Sequence, residues 1–256
     1  MPTFINWSPT QDKGVFINVK NADALLSDVE DRVSNNTGFA VATLNLDHVV
    51  KLQKDQNFLE AYQRHSHVTA DGNPIVWLSR LARNDIELVT GSDLLEPLIA
   101  LAAKHSWPIA FFGSNEATLD AAAQRLTLAY PGLNVVRCIA PPMGFDPQSA
   151  AADAMADEIA SVAKLCLIAL GAPKQEMFAA RAVHRHPHVG FFSIGASLDF
   201  VAGTQTRAPR WVRAIAAEWV WRLATNPVRL AARYASCIAV LPRFTLRALR
   251  QRRHNS

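Results

Sequence analysis

Five places in this chain set polar or reactive side chains directly after an apolar run of β type: Thr43-Leu44-Asn45-Leu46-Asp47-His48, Ala70-Asp71-Gly72, Gly113-Ser114-Asn115, Gly171-Ala172-Pro173-Lys174-Gln175-Glu176 and Gly195-Ala196-Ser197-Leu198-Asp199. Where such runs are strands of a doubly wound sheet, ligands bind outside the strands' carboxyl ends, so these segments would line one crevice. Asp71 closes a short strand, where a carboxylate against an apolar wall can be tuned into a general base; read alone, the pair is an Asp-Gly turn. Gly113-Ser114-Asn115 joins a strand to a helix. The helix start can hold a phosphate or diphosphate on its N–H groups, or be an ordinary turn with Asn115 as N-cap. Lys174 and Gln175 can address a phosphate or sugar hydroxyls, while Glu176, in the first turn, suits the helix dipole. Neither G-x-G-x-x-G nor G-x-x-x-x-G-K-[ST] is present, so a dinucleotide fingerprint and a Walker loop are both missing.

The elements that must carry these residues alternate. Strands are expected at Val15–Val19, Phe39–Leu44, Val68–Ala70, Ile109–Gly113, Leu133–Ile139, Leu165–Leu170 and Val189–Ile194. Helices are expected at Asn21–Val33, Leu46–Gln53, Asn57–Arg64, Pro74–Ala82, Asp93–His105, Ala117–Ala129, Pro147–Val162 and Lys174–His186. The helix starts are marked by Asn21, Asn115 and Asp146. Such alternation predicts an α/β, Rossmann-like fold, a mostly parallel sheet with helices on both faces.

After Gly203 the texture changes. Trp211, Ile215, Trp219 and Leu223 recur every four residues, Leu230, Tyr234, Cys237, Ile238 and Leu241 form a second stripe, and Arg243–Arg253 interleaves arginines with Phe244, Leu246 and Leu249. These are amphipathic helices with arginines off the stripe. The 256 residues carry 26 Lys and Arg against 22 Asp and Glu, a net +4, but 11 arginines lie beyond Gly203 with Glu218 as the only acid there. The expected division is therefore a catalytic domain over 1–203, net −6, and a basic helical appendage over 204–256, net +10. Eleven arginines with one acid leave few partners within the helices, and guanidinium suits bidentate phosphate contact. Nucleic acid, a membrane surface and an anionic substrate all remain open on charge alone.

The histidines, in His184-Arg185-His186-Pro187-His188 and His65-Ser66-His67, lack metal-ligand spacing and read as solvated surface residues. No Asp-x-Asp pair is present to hold a divalent ion with a nucleotide diphosphate. Cys138, Cys166 and Cys237 read as buried thiols in a reducing cytosol. No signal peptide is visible, and no tail stretch reaches the ~20 apolar residues of a spanning helix.

In order, Thr43-Leu44-Asn45, Ala70-Asp71-Gly72, Gly91-Ser92-Asp93-Leu94, Phe112-Gly113-Ser114, Gly171-Ala172-Pro173-Lys174-Gln175-Glu176, Gly195-x-x-x-Asp199-Phe200-x-Ala202-Gly203, Arg207-Ala208-Pro209-x-Trp211 and Glu218-Trp219-x-x-Arg222-Leu223 resemble the WecG/TagA/CpsF glycosyltransferases, family 26, from about Thr43 to Tyr234. The resemblance implies an inverting, metal-independent enzyme without a cofactor. It would move a hexose of glucose or N-acetylmannosamine type from a UDP-sugar to a polyprenyl (undecaprenyl) diphosphate-linked sugar in surface or exopolysaccharide assembly. Asp71 matches the family's proposed base. Thr43 and Asn45 match substrate-positioning sites, Gln175 falls in the Pro-Lys-Gln-Glu motif, and Gly113, Ser114 and Lys174 join the binding set. In the family the tail reaches the membrane and completes the site, which makes Arg222, Arg229 and Arg233 candidates for gripping a diphosphate. The expected place is the inner face of the cytoplasmic membrane, bound peripherally to an anionic surface and not to nucleic acid. The alternative is a nucleotide-binding module whose tail takes nucleic acid. The apolar stripes leave packing on the body, on lipid or on another copy in a homo-oligomer open. Two departures stand out: Leu88 precedes Val89 where members often carry Arg, with Arg83 as the candidate replacement, and Ser197 replaces a smaller residue.

Overall fold

Phe39–Leu44 reads FAVATL and is buried at every position, the pattern of a strand covered on both faces rather than one that alternates with solvent. In the computed structural model, which describes residues 5–9, 14–209, 211–212, 218–225 and 227–254, it is β1 of a single sheet. The side chains of 222, 224, 225 and 229 lie outside that description. The other strands are β2 (His67–Ala70), β3 (Pro108–Gly113), β4 (Asn134–Ile139), β5 (Leu165–Ala169) and β6 (Gly190–Ser193). Their order is β2-β1-β6-β5-β3-β4, and every pairing is parallel. Around the sheet run α1 (Ala22–Ser34), α2 (Leu46–Leu52), α3 (Gln56–Gln63), α4 (Asn73–Leu81), α5 (Gly91–Lys104), α6 (Glu116–Ala129), α7 (Ala150–Val162), α8 (Lys174–Arg185) and α9 (Ser197–Ala202). Among the described residues of the tail run the helices α10 (Glu218–Thr225) and α11 (Pro227–His254). The α/β, Rossmann-like arrangement expected from the alternation is what the chain forms.

On one face Val41, Phe111, Leu167 and Phe192 pack against Leu25 of α1, Leu98 of α5, Leu119 of α6 and Leu198 of α9. The opposite face has two clusters. Ala42, Leu44 and Val68 meet Val49, Phe58, Tyr62 and Ile75 from α2, α3 and α4. Phe112, Ile168 and Phe191 meet Ala156 and Phe178 from α7 and α8. The chain therefore leaves β3 toward one face and β5 toward the other, and does the same at β1 and β6. Neighbouring strands whose continuations diverge leave a crevice along their carboxyl ends.

Three expectations change. Val15–Val19 is extended but forms no strand: Asn18 N and Val19 N both aim at Val68 O (3.2 and 3.4 Å), and the alternation reflects Val15, Ile17 and Val19 turning inward. The helix expected from Pro147 starts at Ala150, capped by Ser149, while Asp146 accepts from Gln148 N at 2.9 Å. The tail's second stripe and its last arginine-rich piece are one helix running through Pro242, whose ring stands at an exposed position where water can serve the carbonyl left without a donor.

The end of α11 is fastened to the body. Phe244 is fully buried and stacks on Trp7 with ring centroids 5.2 Å apart. Arg247 lies over the Phe244 ring at 5.1 Å and donates through Nη1 to Asn6 O and Ser8 O, both at 2.8 Å. Arg243 Nη1 donates to Gln53 Oε1 at 2.8 Å. No helix among the described residues is long and apolar enough to cross a membrane.

Candidate active site

Thr43 is buried near the end of β1, and Asn45 two residues later caps α2 by accepting from His48 N at 3.1 Å. That cap turns the chain sharply and places Asp47, His48 and Lys51 on the first turns of α2, beside the carboxyl ends of β1 and β2. Asp71 follows β2 directly. Its N–H donates to Leu44 O at 2.8 Å, which extends the pairing of the two strands by one bond and leaves the half-buried carboxylate beyond the sheet edge.

On the far side of β6, α8 opens after a cis Ala172–Pro173 peptide, with Pro173 at the cap position offering no side-chain bond. Lys174 is half-buried there. Gln175 is only 3% exposed and both ends of its amide are engaged. Its Nε2 donates to Glu176 Oε1 at 2.7 Å, and its Oε1 accepts from Gly195 N at 3.1 Å. Glu176 is completely buried, and its Oε2 has no hydrogen-bond partner. Burial pushes the carboxyl up from the ordinary range to about 7. His48 Nδ1 lies 3.9 Å from Glu176 Oε1 and 2.6 Å from Tyr62 Oη, with Tyr62 Oη in turn 3.5 Å from Thr43 O. Burial, helped by the Lys51 charge, drives His48 down to about 3, so the imidazole is neutral. Burial also raises the Tyr62 phenol well above its usual range, reinforced by the negative charges of Glu176 and Asp71. The floor of this edge is thus a set of buried groups, with His48 and Tyr62 neutral and Glu176 pushed up to about 7, beneath the side chain of Asp71.

The tail reaches the same edge. Arg233 Nε on α11 meets Asp47 Oδ1 at 2.9 Å, and Lys51 Nζ meets Asp47 Oδ2 at 2.7 Å while donating to Ala172 O at 3.0 Å. Burial alone would raise the Asp47 carboxyl, but the Lys51 hydrogen bond and the Arg233 charge hold it below the ordinary range.

The profile of the Glycosyl transferase WecG/TagA/CpsF family matches residues 12–256. The chain belongs to this family. Among its curated relatives are two proteins named N-acetylglucosaminyldiphosphoundecaprenol N-acetyl-beta-D-mannosaminyltransferase. The one from Bacillus subtilis is 24% identical over 206 residues, and the one from Bacillus spizizenii is 25% identical over 200 residues. Each alignment covers 77% of this chain and 75% of the relative.

In this glycosyltransferase the residues singled out from the sequence fall into groups. Thr43, Asn45, Asp71, Lys174 and Gln175 gather on the β1, β2 and β5 edges, and Arg233 joins them through Asp47. Gly113 and Ser114 lie further along the same edge, at the end of β3. Gly113 has φ +120°, and a Cβ there would stand 2.3 Å from Ala169 O, so the close approach of β5 by itself demands glycine. Ser114 N donates to Ala169 O at 2.9 Å and its Oγ to Asp199 Oδ1 at 3.0 Å, which ties the β3 edge to α9. The side chains of Arg222 and Arg229 lie outside the described residues. Leu88 lies next to Val89, whose N–H meets Ala70 O at 2.8 Å, so the departure from the family pattern sits at the β2 edge. Arg83 instead follows the far end of α4, a nine-residue helix and so about 13 Å from the edge where that helix starts.

Two readings of residue environment are corrected. His65 and His67 are buried rather than solvated: His67 Nε2 meets Asp28 Oδ2 at 2.7 Å, and His65 Nδ1 meets Ala61 O at 2.8 Å. Cys166 and Cys237 are buried thiols, but Cys138 is only half-buried. Among the described residues no cluster of three His, Cys, Asp or Glu side chains could hold a metal ion. Sequence reasoning placed Asp47 and His48 on this edge without a role, missed Lys51 and Tyr62, and read Glu176 only as a residue that suits the helix dipole. Asn45 followed by a helix of mixed polarity was the available signal for the first three.

Proposed function

We propose that this glycosyltransferase moves a hexose from a UDP-sugar to the sugar of a polyprenyl diphosphate carrier, with inversion at the anomeric carbon and no metal. Its relatives, named for transfer of N-acetylmannosamine to N-acetylglucosaminyldiphosphoundecaprenol, make an N-acetylhexosamine or glucose donor and an undecaprenyl diphosphate-sugar acceptor the substrates to try first. In this reading Asp71 takes the proton of the acceptor hydroxyl as the oxygen attacks the anomeric carbon. The bond from that carbon to the diphosphate breaks as the new one forms, and UDP leaves with the electron pair. Thr43 and Asn45 position substrate beside the base. Lys174 and Gln175, with Gly113 and Ser114 further along the edge, attend the donor, and Arg222, Arg229 and Arg233 offset the charge of a diphosphate, as preorganised cations do in a dry site. The reading places the enzyme on the inner face of the cytoplasmic membrane, in surface polysaccharide assembly, with residues 204–256 as the part that meets the bilayer.

The observation that carries this reading is the Arg233–Asp47 contact, because it ties the arginine-rich tail to the edge that holds Asp71. A diphosphate approaching along that edge offers Arg233 a doubly charged alternative to a single carboxylate. Replacing Arg222, Arg229 and Arg233 together with alanine tests it. Transfer to undecaprenyl diphosphate-N-acetylglucosamine is expected to fall at least tenfold, with a higher KM for the acceptor and an unchanged melting temperature. An unchanged acceptor KM would remove the tail from substrate binding.

A further inference from the structure

Glu176 is the only buried acid among the described residues, and it sits where the β1, β5 and β6 edges meet. A side-chain amide has one acceptor oxygen and one donor nitrogen, so its orientation is set by what each end meets. Glu176 Oε1 takes the donor end of Gln175, which turns the acceptor end onto Gly195 N. Without an acceptor at Glu176 the amide can flip, and Gly195 N–H then faces another donor. Gly195 leads into α9, which carries Asp199, and Asp199 holds Ser114, so this one carboxyl aligns the β5, β6 and β3 edges in series.

We propose, resting on the transferase reading above, that Glu176 is a positioning residue: through its Oε1 it locks Gln175 onto the Gly195 N–H and so holds the crevice in the geometry that receives an anionic donor. Burial, with a smaller push from the Asp47 charge, favours the neutral form against the Gln175 hydrogen bond and the Lys51 charge. Asp47, His48 and Lys51 face it from α2 and Tyr62 from α3, with Asp71 beyond Tyr62 and Arg233 beyond Asp47. Lys51, the one cation close by, is already engaged by Asp47 and Ala172 O. Strands β1, β5 and β6 present no charged side chain, and Asp153 and Asp157 of α7 are paired with Arg181 and Arg185 further along α8. An ionised Glu176 would add an uncompensated negative charge beneath a site meant for diphosphates.

The test uses the full chain, with Glu176→Gln, which keeps an acceptor and cannot ionise, and Glu176→Ala, which removes it. Hydrogen exchange at the Gly195 amide needs no substrate. It is expected to speed up at least tenfold in the alanine variant and to stay at the wild-type rate in the glutamine variant. With UDP-N-acetylmannosamine or UDP-glucose and undecaprenyl diphosphate-N-acetylglucosamine, wild-type kcat/KM is expected to fall about tenfold from pH 6 to pH 8, following an ionisation near 7. Glu176→Gln should keep turnover at pH 6 and lose that decline. Unchanged Gly195 exchange in the alanine variant, or a wild-type decline surviving in the glutamine variant, overturns the proposal. Absence of transfer with every donor would overturn the transferase reading instead and leave the exchange measurement to decide on Glu176.

Discussion

Replacing Phe244 with alanine asks how firmly the arginine-rich helix is held to the body. Phe244 is fully buried, stacks on Trp7, and carries Arg247 on its other side. Truncating a buried phenylalanine costs about 3–5 kcal/mol, and a site between a helix and an N-terminal segment can partly collapse, which favours the lower end, about 3 kcal/mol. Arg247 then has no ring to hold it against Asn6 O and Ser8 O, so the loss falls on the docking of the last turns of α11 rather than on the sheet. Three kcal/mol is about a hundredfold in the population of the undocked helix. Trypsin cleavage after Arg243 and Arg247 tracks that population when docking is fast relative to cleavage. Limited proteolysis should therefore run about a hundredfold faster at these sites while fragments from residues 39–194 appear at the wild-type rate. Cleavage within threefold of wild type would refute the claim that Phe244 anchors the tail.

Two further outcomes follow from the same physics. The folded chain holds a proton on Glu176 up to about pH 7 that the unfolded chain releases near 4.5, so the stability this proton provides is lost as pH rises through that window. Urea unfolding should show wild type losing about 2.5 kcal/mol more than Glu176→Gln between pH 5 and pH 8, and parallel curves would contradict the buried, neutral assignment. Gly113→Ala combines a left-handed backbone with a 2.3 Å approach to Ala169 O and should destabilise by at least about 3 kcal/mol in a thermal or denaturant melt; a near-neutral variant would show that β3 and β5 can move apart at their carboxyl ends.

The strands that were easiest to read are those covered on both faces. β1 matched its expected bounds because FAVATL is a continuous apolar run closed by a capping asparagine, and β3 and β5 came within a residue for the same reason. The extended segment over Val15–Val19 misled because alternation records which side chains turn inward, not whether the backbone pairs, and here two N–H groups crowd one carbonyl. Helix α9 has six residues, too few for a 3.6-residue period to declare itself, and no helix is expected there from the sequence. At the candidate site the residues just beyond the strands were legible, because topology alone assigns that edge to ligands. Their environments were not. Glu176 in a first helical turn looks like a partner of the dipole, and only the meeting of α2, α3 and α8 buries it. His48 likewise gains its neutral state from burial, helped by the charge of Lys51 three residues on, and its Nδ1 partner Tyr62 stands 14 residues away with no motif of its own.

The central claim is that the edge holding Asp71 transfers a sugar from a UDP-sugar to a lipid diphosphate sugar. It is tested most directly by UDP release from a panel of UDP-sugars, with undecaprenyl diphosphate-N-acetylglucosamine present or absent, for wild type and Asp71→Asn. Wild type is expected to release UDP with at least one hexose donor and only when the lipid acceptor is present. Asp71→Asn should unfold at the wild-type temperature and turn over about a thousandfold more slowly, within the range by which a general base accelerates proton transfer. Turnover in Asp71→Asn within tenfold of wild type, or UDP release indifferent to the lipid, would contradict the account.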